Sequence, residues 1–234
     1  MPGQLLMYPM SQRRWMDAKI NVGYFSLGVT STWSTGPEME FGRTLIEAGV
    51  VPSGRVGFIP TAVGATYLAE WMPPWEWQPE GGELWVKLIS VVREAMGKAG
   101  SGASLRGLIW VQGENDGRAQ VDAETYGSRF ATFVAGLRAE LAPYNPRLPI
   151  VMGVMSTGPR LEWYTRLDVV RAAQLYDDPM TRPVVRVDMA IFSFYEQVFT
   201  GGVSKAIHLS KQGQCDMGAA MAKAWMASGL QAQA

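Results

Sequence analysis

Short apolar runs alternate with longer segments of helical period along this chain, and that alternation restricts the fold more than any other feature. "VGFIPTAV" (56–63), "SLRGLIWVQ" (104–112), "LPIVMGVMS" (148–156) and "PVVRVDM" (183–189) have the length and apolarity of buried strands. Between and around them lie the helical patterns. Leu84, Leu88, Val91, Val92 and Ala95 share one face of 82–100, with Gly97 and Gly100 to stop it. Tyr126, Phe130, Phe133, Val134, Leu137 and Leu141 share one face of 123–141. Further helices are predicted over 162–178, with Pro179 beyond it, and over 211–227. An early one follows Pro37 and stops at Gly49. Strands that alternate with helices of this length form βαβ units, so the spacing predicts an α/β fold with a mostly parallel sheet covered on both faces.

The 234 residues suit a single domain, and a domain of that size buries about 70–75% of the surface its unfolded chain exposes. Lys+Arg and Asp+Glu balance at 21 each, so the chain lacks the electrostatic footprint of nucleic-acid or anionic-membrane binding. No apolar run approaches the roughly 20 residues of a membrane span. Cys215 is the only cysteine, which rules out a disulfide within the chain. The opening "MPGQLLMYPMSQRRW" carries its positive charges after its apolar run, the reverse of a secretion signal. The partner that remains is a neutral or weakly charged small molecule.

In a parallel sheet ligands bind beyond the carboxyl ends of the strands. Three segments at such junctions carry suitable residues. Gly64, at the end of the run 56–63, can present a backbone N–H to a substrate with no side chain in the way. "QGENDG" (112–117) offers the Gln112 amide and the Glu114 carboxylate. "AIHLSKQGQ" (206–214) holds His208, the only histidine, before the last helix. Each has an ordinary reading when taken alone: a βα turn, a cluster of turn formers, a surface histidine. The segment "EWMPPWEWQPEGG" (70–82) is too rich in proline for a helix interior or central strand. Its Trp75 and Trp77 either stack on a ligand ring or cap the core, and Trp71 reads as core.

Taken together, "GPEMEFGRTL", "IPTAVGATYLAEW", "GLIWVQGENDG" and "IHLSKQGQ" occur in the order and spacing of one family. From about Trp15 to Trp225 the chain resembles the SGNH-type carbohydrate esterases, namely the sialate O-acetylesterase domain and the acetylxylan esterase-like proteins. The resemblance implies a three-layer α/β/α sandwich and hydrolysis of O-acetyl esters on sugars, with no metal and no organic cofactor. It implies a serine nucleophile, His208 as the base, and Gly64 and Gln112 in the oxyanion hole. Ala65 stands where the family has the second glycine of a "GGT" block.

Two positions depart from the family pattern. The nucleophile belongs in a "GQSN"-like turn after the first strand. Either "GQLL" (3–6) is that turn with Leu5 in place of serine, or the first strand and its turn lie upstream of Met1; both leave the expected place without a serine. Ser11, Ser26, Ser31 and Ser34 lack the flanking strand and glycine signature and read as turn serines. The acid that usually stands three residues before the histidine is replaced by Lys205, which cannot accept the imidazole N–H. The resemblance nominates Glu114 as the orienting carboxylate, with Asp116 second. Two functions follow: a carbohydrate O-acetylesterase, or an inactive glycan-binding member of the same scaffold. A nucleotide-binding domain is disfavoured, since neither a GxGxxG turn after a strand nor a phosphate-loop GK[ST] is present.

Overall fold

Hydrogen bonding sorts the strands into two parallel groups and one hairpin. The computed structural model describes residues 3–19, 36–51, 54–75, 82–157, 163–199 and 202–230. In the first group β1 (Leu5–Met7) pairs in parallel with β3 (Val56–Phe58) and antiparallel with the short β2 (Met16–Asp17). In the second, β5 (Ile150–Val154) lies between β4 (Leu108–Trp110) and β6 (Val184–Asp188), all parallel. The hairpin is β7 (Phe194–Phe199) with β8 (Gly202–Leu209).

Helices cover both faces of these sheets. On one side are α1 (Glu38–Glu47) and α5 (Lys211–Ala227). The Gly42 position of α1 sits against Leu5 and Phe58, and Met221 and Trp225 of α5 reach the Gly153 and Gly107 positions. On the other side are α2 (Glu83–Ala99), α3 (Gln120–Glu140) and α4 (Leu167–Leu175). There Tyr8 packs on Val91 and Ala95, and Trp110 packs on Phe130 and Phe133 with ring centroids 6.1 and 4.7 Å apart. This is the three-layer α/β/α arrangement. β5 is buried at every residue, as expected of a strand covered on both faces.

β3 and β4 each have an edge without a strand partner among the described residues. In a parallel ladder alternate residues bond to opposite sides. Val56 N donates to Gln4 O (2.8 Å) and Phe58 O accepts from Tyr8 N (2.8 Å), so Gly57 turns its backbone polar groups away from β1. Leu108 N donates to Pro149 O (2.9 Å) on the β5 side, so Ile109 turns its own to the other edge. Phe58 and Ile109 belong to one core all the same.

The observed strands are shorter than the apolar runs that predict them. Pro60 has no N–H to donate, and the ladder of β3 stops at Phe58. The pattern over 123–141 appears as α3, which starts three residues earlier, and 211–227 appears as α5 with the same ends. The helix expected over 162–178 is confined to Leu167–Leu175, where extended backbone at Tyr176 ends it. The β7–β8 hairpin has no counterpart among the predicted elements, and it makes His208 a strand residue rather than part of a turn.

Candidate active site

The loops that follow β3 and β4 are clamped together by buried polar groups. Asp116 is fully buried, and both its carboxylate oxygens accept from Leu68 N at 3.1 Å. Gln112, also buried, donates from Nε2 to Asp116 Oδ2 at 2.6 Å and to the Thr66 carbonyl at 3.1 Å. The Gln112 carbonyl accepts from the Tyr126 hydroxyl (2.9 Å) and from Gln174 Nε2 (2.9 Å). Thr66 Oγ1 donates to Val63 O (3.0 Å) and accepts from the Trp71 indole (3.0 Å). Burial pushes the Asp116 carboxyl up to about 6, against the opposing pull of its bonds from Gln112 and Leu68. Burial likewise pushes the Tyr126 phenol up.

This wiring fixes the direction of the Gln112 amide. Nε2 faces two acceptors, so Oε1 cannot replace it without setting oxygen against oxygen. Oε1 is buried with no hydrogen-bond partner among the described residues. Gly113 follows with φ at +143°, and a Cβ there would come within 2.9 Å of Val170 and 3.0 Å of the Gln174 amide. Only glycine fits that backbone and that space.

The remaining expected site residues sit around this clamp or apart from it. Gly64 is exposed at the end of the loop after β3, and Ala65 beside it has φ at +60°. That left-handed conformation explains why a glycine suits the position. Glu114 is half-buried, and its carboxylate makes no hydrogen bond or ion pair among the described residues. His208 is exposed as the penultimate residue of β8. Its neighbour Leu209 anchors the hairpin in the core, and Ser210 caps α5 by accepting from Gly213 N at 3.0 Å. No hydrogen bond joins His208 to Glu114 among the described residues.

Trp75 is exposed and meets Trp85 edge-on at 5.7 Å, close to the Gly136 position of α3. At 1.5 Å per residue that point lies about 24 Å along α3 from its first turn, which leads off the loop after β4. Trp77, Ser26, Ser31 and Ser34 lie outside the described residues, and Ser11 is an exposed turn residue. Among the described residues no group of three or more His, Cys, Asp or Glu could hold a metal ion, and no helix is long and apolar enough to cross a membrane. The sequence reading ranks Asp116 second as an acid and misses its clamping role. Its partner Leu68 is 48 positions away and engages through the backbone, which no side-chain pattern reveals.

An α/β/α scaffold with polar loops gathered after its parallel strands is an architecture that binds small ligands beyond the carboxyl ends of those strands. Comparison identifies the kind. Residues 2–227 match the family model described as carbohydrate esterase, sialic acid-specific acetylesterase, and the chain belongs to that family. A relative named "probable carbohydrate esterase" from Arabidopsis thaliana is 24% identical over 227 residues, spanning 97% of this chain and 76% of its own. An X-ray structure of an Arabidopsis thaliana protein superposes with a TM-score of 0.70 at 25% identity, over 95% of this chain and 80% of that one. A carbohydrate acetylesterase from Xanthomonas citri shares the fold with a TM-score of 0.59 at 18% identity, over 94% of this chain and 47% of its own.

Proposed function

We propose that this protein hydrolyses acetyl esters on sugars by serine-hydrolase chemistry, with its nucleophile on a strand seated between β3 and β4. The observation that carries this reading is the pair of parallel edges, unpartnered among the described residues, whose carboxyl ends are held together by Gln112 and Asp116. A strand between them would end beside Gly64 and Gln112, and a serine at that end would face the mouth of the sheet. The serine hydroxyl attacks the acetyl carbonyl. His208 takes its proton and gives it to the departing sugar oxygen, then activates the water that releases acetate from the serine, and Glu114 orients the imidazole. The Gly64 N–H receives the oxyanion. Gln112 joins it by exchanging its bond to the Thr66 carbonyl for one to the substrate oxygen.

The second reading is an inactive glycan-binding member of the scaffold. It is favoured by the lack of a hydrogen bond to the His208 and Glu114 side chains among the described residues and by Lys205 in place of the usual acid. Loss of a nucleophile lowers turnover in a serine hydrolase by about a millionfold. A fluorophosphonate probe read by intact mass separates the two. The 234 residues alone are expected to take no adduct. A chain extended by the gene's preceding codons is expected to take one, on a serine that peptide mapping places at a strand end, and to lose it in His208→Ala. Absence of an adduct from both chains leaves the second reading.

A further inference from the structure

Behind the clamp, between α3, α4 and the sheet, lies a cavity of about 280 Å³ that the proposed chemistry does not use. Its floor is apolar, with Phe130 and Met152 buried there. The cavity exists because the two helices face each other with small residues. Gly127 stands inside α3, opposite Ala173 of α4. A Cβ at Gly127 would meet the Ala173 methyl at 3.5 Å, an ordinary contact, and among the described residues no further atom beyond its own stretch of helix within 4 Å. Alanine would fit there and would favour the helix, whereas glycine keeps the space open. Gln174 lines the buried side, and its amide is already engaged: Nε2 donates to Gln112 O (2.9 Å) and Oε1 accepts from Met155 N (2.8 Å).

The charges that line this cavity are unevenly matched. Arg186 is engaged by the carbonyls of Gln174 and Tyr176 at 2.7 Å each and by Asp177 at 3.3 Å, and Asp177 also pairs with Arg182. Glu124 comes from α3 and Asp178 from the loop after α4, and neither makes an ion pair among the described residues. Each accepts through one oxygen, Glu124 from Gln120 Nε2 (2.7 Å) and Asp178 from Met180 N (2.9 Å). Arg129 and Asp122, the other charges on this part of α3, pair with each other at 2.7 Å. We infer that the cavity is a binding site for a primary arylalkylamine, a single aromatic ring on a short chain that ends in an ammonium. An apolar cavity of roughly 150 Å³ already holds benzene, so this one has room for a ring and a short chain. Phe130 and Met152 favour an aromatic ring through edge and sulfur contacts. The ammonium then meets the two carboxylates that lack a cation, where an anionic group would be repelled. The site needs no nucleophile and does not rest on the esterase reading.

The test titrates the full chain with 2-phenylethylamine and with its neutral counterpart 2-phenylethanol, followed by NMR. The amine is expected to bind about fivefold more tightly than the alcohol at low salt and to lose most of that margin at 1 M salt. Shifts should centre on Gly127, Ala173 and the Gln174 side-chain amide. Gly127→Leu, which fills the cavity, should abolish binding of both compounds, and Gly127→Ala should retain it. Glu124→Gln/Asp178→Asn should level the two affinities. Melting curves control for folding, and Ala173→Leu fills the same space from α4 if Gly127→Leu does not fold. Absence of binding by both compounds would overturn the inference. So would equal affinities for the unaltered chain, binding that survives a filled cavity, or shifts centred on Gly64 at the mouth of the sheet.

Discussion

Ala65 shows how a single residue can depart from a family pattern and still report the constraint behind it. Its φ of +60° lies in the left-handed region, where a Cβ crowds the following carbonyl at roughly 1–2 kcal/mol. Ala65 is exposed, so its methyl group has no burial to set against that strain. Ala65→Gly should therefore stabilise the protein by about 1 kcal/mol, after allowance for the larger freedom of glycine in the unfolded chain. For a chain of this size that is a rise of about 2–4 °C in Tm, measurable by calorimetry. An unchanged or lower Tm would show that the loop relaxes around alanine without strain. Gly64, Gln112 and His208 stand out as candidates in the sequence because they lie in short motifs. The engagement of Gln112 by Asp116 and Thr66 does not, since it depends on where a loop 46 positions away comes to rest.

At the scale of elements, apolar period predicted the helices better than the strands. α5 needs nothing beyond its own sequence, with Ser210 to cap it and Met217, Met221 and Trp225 to bury. The strands depend on partners, so a run such as 56–63 yields only three paired residues once Pro60 interrupts it. The β7–β8 hairpin had a signal in the Gly201–Gly202 pair between two runs rich in β-branched and aromatic residues. Among the described residues β3 and β4 each have an unpartnered edge, which gives a direct prediction. Gly57 and Ile109 turn their amides away from β1 and β5, the strands that pair with them, whereas Met152 sits in β5 with a partner on each side. Hydrogen exchange should be at least tenfold faster at Gly57 and Ile109 than at Met152. A chain in which a further strand seats between β3 and β4 should protect both amides together. Strong protection of Ile109 in the 234 residues alone would mean that some other segment already covers that edge.

Stability of the whole molecule depends on pH through groups that pull in opposite directions. On the surface, Glu94 is held down to about 2 by its bonds from Arg13, Lys98 and Tyr8, and Arg171 holds the Asp188 carboxyl below its usual range. Such lowered carboxyls contribute stability that is present above their unfolded values and is lost as pH falls through their folded ones. Asp116 has the reverse sign. Its folded value of about 6 stands above the 3.8 of an exposed aspartate, so the folded chain binds a proton that the unfolded chain has released. Its favourable contribution is complete below about pH 4 and is lost as pH rises through about 6. The gap of roughly two units corresponds to about 3 kcal/mol at most. Asp116→Asn isolates this effect. The asparagine oxygen, in the place of Oδ2, can still accept from Leu68 N and from Gln112 Nε2, while no charge is left to desolvate. Melting of both proteins from pH 4.5 to 8 should show the variant gaining on the native chain by about 2 kcal/mol, with most of the gain made below pH 6 and little above it. A difference that stays constant over that range would mean that Asp116 remains ionised in the fold throughout. The clamp between the loops after β3 and β4 would then be held by a buried carboxylate whose charge the surrounding donors fully compensate.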